Sequence, residues 1–179
     1  KQLGLIDDYI EAGYGFDHVE IFMPTGQSVA KIPTPKLVPD YPSKVGIGRR
    51  AVPKVLGDRA IADGATVRLG LTAEGFDDDG SGVSVRFSDG SEGRYDLVIG
   101  ADGLYSQTRK MLFPEAPEPE FTGQSVWRYN FARTADVTDL AAYEGQIGVG
   151  LVPLSDTLMY MYVTTAAHRP FMTSTNETI

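Results

Sequence analysis

Asp96-Leu97-Val98-Ile99-Gly100-Ala101-Asp102-Gly103-Leu104-Tyr105-Ser106-Gln107-Thr108-Arg109 is the stretch on which the reading of this 179-residue chain turns. Leu97 to Ala101 is apolar throughout, the pattern of a strand covered on both faces. Gly-Ala-Asp-Gly ends it, and a short helix over about Ser106–Leu112 follows. Ligands of α/β sheets settle at the carboxyl ends of strands, where a glycine lets them approach the backbone. A carboxylate at that point, Asp102, can accept hydrogen bonds from ribose hydroxyls. Arg109, about two turns further on, can pair with a carboxylate or a phosphate. The same residues also suit a tight strand-to-helix turn capped by Asp102, and on residue chemistry alone both readings stand.

Working outward, residues 64–103 read as β structure: Ala65–Leu71, Glu74–Asp77, Val83–Ser88 and Tyr95–Ala101. Val83, Val85 and Phe87 alternate with Ser84, Arg86 and Ser88, as in a half-buried antiparallel strand. Turns fall at Asp79-Gly80 and Asp89-Gly90. Upstream, Val52, Val55, Leu56 and Ile61 give a helix over about Arg50–Ala62 one apolar face, with Pro53 tolerated in its first turn. Before it come a short strand, Val45–Gly48, and a loop over 33–44 carrying Pro33, Pro35, Pro39 and Pro42. His18–Met23 and Gln27–Ile32 form a hairpin across Pro24-Thr25-Gly26. Leu3, Ile6 and Ile10 place a helix in the first thirteen residues, with Gly13 as its stop. No capping residue precedes it, which reads as a chain starting inside an element. Downstream, strands are expected at Ser125–Ala132, Gln146–Val152 and Thr157–Thr164, with a short helical turn at Leu140–Tyr143. Along the last strand Leu158, Tyr160 and Tyr162 face one way, and Met159, Met161 and Val163 the other.

Composition narrows the function classes. The net charge is −8 and the pI about 4.7, a field that repels nucleic acid and anionic lipid, so neither is an expected partner. No stretch approaches the roughly 18 apolar residues of a membrane span. There is no cysteine, which removes disulfides, thiolate metal sites and a cysteine nucleophile and fits a reducing, cytoplasmic setting. Asp77-Asp78-Asp79-Gly80-Ser81-Gly82 lacks the alternating ligands and distal glutamate of a calcium loop and reads as a hairpin turn. His18 and His168 are isolated, so no metal site is expected. Neither G-x-S-x-G nor G-x-G-x-x-G occurs.

The stretch from Asp96 to Arg109 resembles the internal "DG" motif of the FAD-dependent aromatic hydroxylases, the group of 4-hydroxybenzoate, salicylate and urate hydroxylases. Further matches follow in order: Leu3-Gly4-Leu5 with Ala12-Gly13, Ile47-Gly48-Arg49 with Val52 and Leu56, Phe87-Ser88-Asp89-Gly90, Trp127-Arg128, and Val152-Pro153-Leu154. The resemblance covers nearly the whole chain. It implies an α+β fold: a partial FAD-binding, Rossmann-like domain with an antiparallel β insertion, plus a β-sheet substrate domain. The segments implied are 1–48 (substrate domain, with the N-terminal helix), 49–112 (partial FAD-binding domain with the DG motif) and 113–179 (substrate domain). The family's Gly-rich first turn and its third flavin segment have no counterpart here, so the chain reads as an internal fragment, inactive alone. Loss of a central strand would bare apolar edges and favour self-association into a homo-oligomer or local disorder.

The resemblance also implies roles. Asp102 would bind the FAD ribose and shape the groove used by NAD(P)H, Gly103 would allow close backbone approach, and Arg109 would brace the motif. Arg49 would reach the flavin from its helix start, and Leu71 and Thr72 would lie near the adenine. Tyr160 and Tyr162, with Trp127 and Arg128 nearby, would line the pocket of a small aromatic substrate; aromatic packing in a sheet core is the competing reading of the same residues. Urate hydroxylases carry a substrate-gripping arginine near position 148, where this chain has Gly148, which disfavours urate. The implied parent enzyme reduces FAD with NAD(P)H and passes one atom of O2 to an aromatic ring, and the motif demands no catalytic acid, base or nucleophile from this chain. A flavin reductase or halogenase of the same superfamily, or a stand-alone binding module, are the rival readings.

Overall fold

A computed structural model of the protein describes residues 2–167. In chain order the elements are α1 (Ile6–Glu11), β1 (Gly13–Phe16), β2 (His18–Phe22), β3 (Ser28–Pro33), β4 (Lys44–Ile47), α2 (Ala51–Ala62), β5 (Ala73–Asp78), β6 (Val83–Phe87), β7 (Glu92–Tyr95), α3 (Gln107–Leu112), β8 (Gln124–Ala132), β9 (Leu140–Tyr143), β10 (Gly148–Pro153) and β11 (Leu158–Ala166). The fold is α+β. It divides into two compact units, one of residues up to Ala65 together with those from Phe121, the other running from Thr66 to Glu120. His168 lies outside the described residues.

The larger unit is built on a six-stranded sheet of order β3-β2-β9-β10-β11-β8. The expected hairpin of β2 with β3 forms, and β10 pairs antiparallel with β11 in a second one. Leu140–Tyr143 is a strand and not the expected helical turn. Leu-Ala-Ala has high helix propensity, but these residues pair with β2 on one side, in parallel, and with β10 on the other. Two ladders outweigh the marginal gain of a single isolated turn. Met159 is 2% exposed and is joined in the core by Ala141, Val152 and Leu154. Asp139 fastens the sheet's N-terminal hairpin, accepting the His18 backbone N–H at 3.1 Å and facing Lys31 Nζ at 2.8 Å.

A two-stranded sheet, β1 with β4, packs on β10 of the same unit. The approach is so close that a methyl carbon built on Gly46 would lie 1.9 Å from the Pro153 carbonyl oxygen. The Arg133 guanidinium lies 4.6 Å from the centroid of the Tyr14 ring and donates to the Val137 carbonyl at 2.9 Å.

The smaller unit is a three-stranded antiparallel sheet, β5-β6-β7, with Val85 buried in it. Of the four strands expected here, two form as β5 and β6, and the third strand of the sheet is Glu92–Tyr95, ahead of the expected Tyr95–Ala101. Ala65–Leu71 forms no strand; Arg68 instead reaches Asp89 and Ser91, each at 3.0 Å, and covers the Phe87 ring. Asp79 accepts two 2.9 Å bonds from Arg94 and one from the Ser81 backbone N–H. Arg94 is the main reason its carboxyl is held down at about 2. That carboxylate is committed to the turn, and among the described residues no group of three or more acidic or histidine side chains could hold a metal. Among the same residues, no helix is long and apolar enough to cross a membrane.

Of the strand expected over Tyr95–Ala101, only Tyr95 is paired; Leu97–Ala101, expected to be covered on both faces, forms no strand. No strand of the described residues lies beside Leu97–Ala101, so Leu97 is 73% and Ile99 78% exposed. Exposed apolar runs of this kind favour association. Replacing Leu97 and Ile99 together by serine should reduce self-association of the chain in light scattering, while the urea midpoint shifts by no more than about 0.5 kcal/mol of stability.

Candidate functional site

Gly103 has a φ of +85°, a conformation that L side chains avoid, so the turn after Asp102 requires glycine. A β-carbon there would meet no atom within 4 Å, which leaves the backbone open on that side. Asp102 uses both carboxylate oxygens. Oδ1 accepts the Ser106 hydroxyl, and Oδ2 accepts the Thr108 backbone N–H at 3.0 Å. Ser106 Oγ in turn accepts the Arg109 N–H at 2.9 Å, which makes Ser106 the N-cap of α3. The Arg109 guanidinium closes the loop by donating to the Leu104 carbonyl at 2.8 Å. The Ser106 hydroxyl first, and the Thr108 N–H second, hold the Asp102 carboxyl well below the usual carboxylate range.

Asp102 also lines a groove of about 450 Å³, walled by Phe76, Val85 and Phe87 of the small sheet and by Leu97 and Ile99. Asp102, Gly103 and Arg109 are therefore one constellation. Leu71 and Thr72 belong to the same unit, immediately before β5, where Thr72 exchanges hydrogen bonds with Ser88. Arg49 is exposed in the turn before α2 and belongs to the larger unit. Ser106 and Thr108 were not singled out from the sequence. The available signal was a serine directly ahead of a helical run, the commonest kind of N-cap.

The second constellation lies on the six-stranded sheet. Arg128 is directly opposite Tyr162, and Asn130 opposite Tyr160, so these four side chains share a face. Trp127 is opposite Val163 and stands on the other face, with Tyr129 and Met161. The register thus corrects the expected grouping: Tyr160, Tyr162 and Arg128 share one face of the sheet, and Trp127 stands on the other. The two tyrosine rings are 6.3 Å apart at 43°. Tyr162 lies on Gly150, where an added β-carbon would come within 2.2 Å of the ring, and burial pushes its phenol above the ordinary value. Gly150→Ala should lift the ring off the sheet, lowering the Tyr162 pKa in a ring-resolved NMR titration and costing about 1–3 kcal/mol in urea unfolding. At Gly148 the Thr164 hydroxyl occupies the space an added side chain would need.

The sequence profile described as FAD binding domain matches residues 1–176. The chain belongs to this family. The FAD binding domain family is the one to which the resemblance at Asp96–Arg109 pointed. Aurachin C monooxygenase/isomerase of Stigmatella aurantiaca is 30% identical over 172 residues, covering 93% of this chain and 44% of that protein. In fold, the chain is similar to CtdE in its crystal structure with FAD and substrate (TM-score 0.78, 18% identity, 93% of this chain and 44% of that one). It is similar also to Klebsiella pneumoniae HpxO complexed with FAD and uric acid (TM-score 0.75, 20% identity, 92% and 43%). The chain spans a little under half the length of these relatives.

Proposed function

We propose that this chain is part of an FAD-dependent monooxygenase that hydroxylates a small aromatic substrate with NAD(P)H and O2. The observation that carries the reading is the Asp102–Gly103 turn. A carboxylate that stays ionised lines a groove beside a glycine whose flank is open, and each of its oxygens has a second lone-pair direction beyond the bond it already accepts. Those are the acceptors that ribose hydroxyls need, so the residues present fit the sugar of a dinucleotide. When bound, FAD supplies the redox chemistry, taking up hydride from NAD(P)H and activating O2.

The chain's own residues bind and orient. Asp102 receives the ribose, Gly103 admits the cofactor to the backbone, and Arg109 holds the turn rigid through Leu104. On the family resemblance, Leu71 and Thr72 are assigned to the adenine and Arg49 to the flavin. Tyr160 and Tyr162 form an aromatic wall for the substrate ring, and Arg128 on the same face meets a polar or anionic substituent. Gly148, crowded by Thr164, offers no counterpart to a substrate-gripping arginine, which argues against urate.

The test is a flavin titration of this chain alone and of the complete enzyme in which the segment is joined to its flanking sequence. The complete enzyme should purify yellow and couple NAD(P)H oxidation to a hydroxylated product. Flavin bound without oxygenated product would indicate a reductase or halogenase, and a colourless protein would indicate a binding module.

A further inference from the structure

We infer that Ser106 is a positioning residue whose hydroxyl sets the orientation in which the Asp102 carboxylate receives the flavin ribose. The inference deepens the proposed function and rests on it. It starts from proton bookkeeping at one atom. A serine hydroxyl has one proton and two lone pairs. Ser106 Oγ accepts the Arg109 N–H at 2.9 Å, so its own proton is left to donate, and the acceptor in place is Asp102 Oδ1. The direction of that bond is therefore settled: serine gives and aspartate receives.

Burial adds a second line. Ser106 is 8% exposed, the buried polar side chain among the described residues, whereas Asp102 beside it is exposed. An exposed aspartate with one free oxygen would sample several rotamers. With Ser106 on Oδ1 and the Thr108 N–H on Oδ2, the carboxylate plane is fixed before any ligand arrives. The ordering cost that a ribose would otherwise meet on binding is then already met in the free protein. Holding a helix cap needs only an acceptor at position 106. The donated proton is surplus to capping, and it points at the carboxylate.

That surplus separates the two roles experimentally. Ser106→Asp keeps a capping acceptor but cannot donate to Asp102; Ser106→Ala removes both functions; Ser106→Thr keeps both. In the complete enzyme, Ser106→Ala and Ser106→Asp should each weaken FAD binding on the order of tenfold by flavin fluorescence, while Ser106→Thr stays within about threefold of the parent. In the 179-residue chain, carboxyl NMR should show Asp102 titrating closer to the ordinary aspartate range in Ser106→Ala, with the Thr variant restoring the low value. Normal FAD affinity in Ser106→Asp would reduce Ser106 to a cap and overturn the inference. Asp102→Ala is the companion control. If it weakens FAD and the Ser106 variants do not, positioning fails while the flavin reading stands; if Asp102→Ala itself has no effect, the flavin reading falls and the inference with it.

Discussion

Asp102→Ala should lower the FAD affinity of the complete enzyme roughly 10- to 100-fold, because it removes a charged acceptor for the ribose and both ties that hold the turn. Flavin content after gel filtration, read from the visible absorbance, is the direct measurement. Asp102→Asn is the sharper comparison, since it keeps the shape and removes the charge. The pH dependence has a definite sign. The folded-state pKa of Asp102 is depressed, with the Ser106 hydroxyl as the first cause. Its contribution is therefore present above the ordinary aspartate value of 3.8 and disappears only as the pH falls through the lower folded value. Flavin retention should accordingly be flat from about pH 5 upward as far as this group is concerned, and any loss near neutrality would have to come from another one.

Gly46→Ala should produce the largest change in stability, about 3 kcal/mol, at the upper end of what overpacking costs. The added carbon would sit 1.9 Å from the Pro153 carbonyl oxygen, and that obstacle is backbone at the end of an interior strand of the main sheet, with no flexible side chain to move aside. The two-stranded sheet would have to lift from β10. Gly48→Ala is the built-in control: two residues along the chain, its added carbon meets nothing within 4 Å, so its urea midpoint should move by no more than about 0.5 kcal/mol. Equal midpoints for the two variants would show that β4 does not press on β10 as described.

Much of this architecture was legible where local pattern and tertiary outcome agree. Alternation in Val83–Phe87 and Leu158–Val163 gave strands with the right faces, and the short helix after the DG turn, α3, lies where it was expected. The misreadings have a common physical origin in pairing partners that no local window contains. Leu140–Tyr143 looks helical until β2, far away in the chain, pairs with it. Leu97–Ala101 looks like a buried strand because its composition is that of one, yet composition does not supply neighbours. Trp127 and Tyr162 each follow a period of two, but which face of β8 matches which face of β11 depends on register, and register is set between strands. The DG turn was recognisable as a motif. The direction of the Ser106 proton was not, because it follows from which backbone amide already occupies the oxygen.

The parallel pairing of β2 with β9 has a consequence for how the molecule should reach its native state. The hairpin β10–β11 brings together residues near in sequence and can zip early. Joining β2 to β9 requires encounters such as His18 with Asp139, 121 residues apart, and this very long loop should therefore close late in folding. The N-terminal hairpin should then be the first part of the main sheet to open, and amides of β2 and β3 should exchange with deuterium sooner than those of β10 and β11.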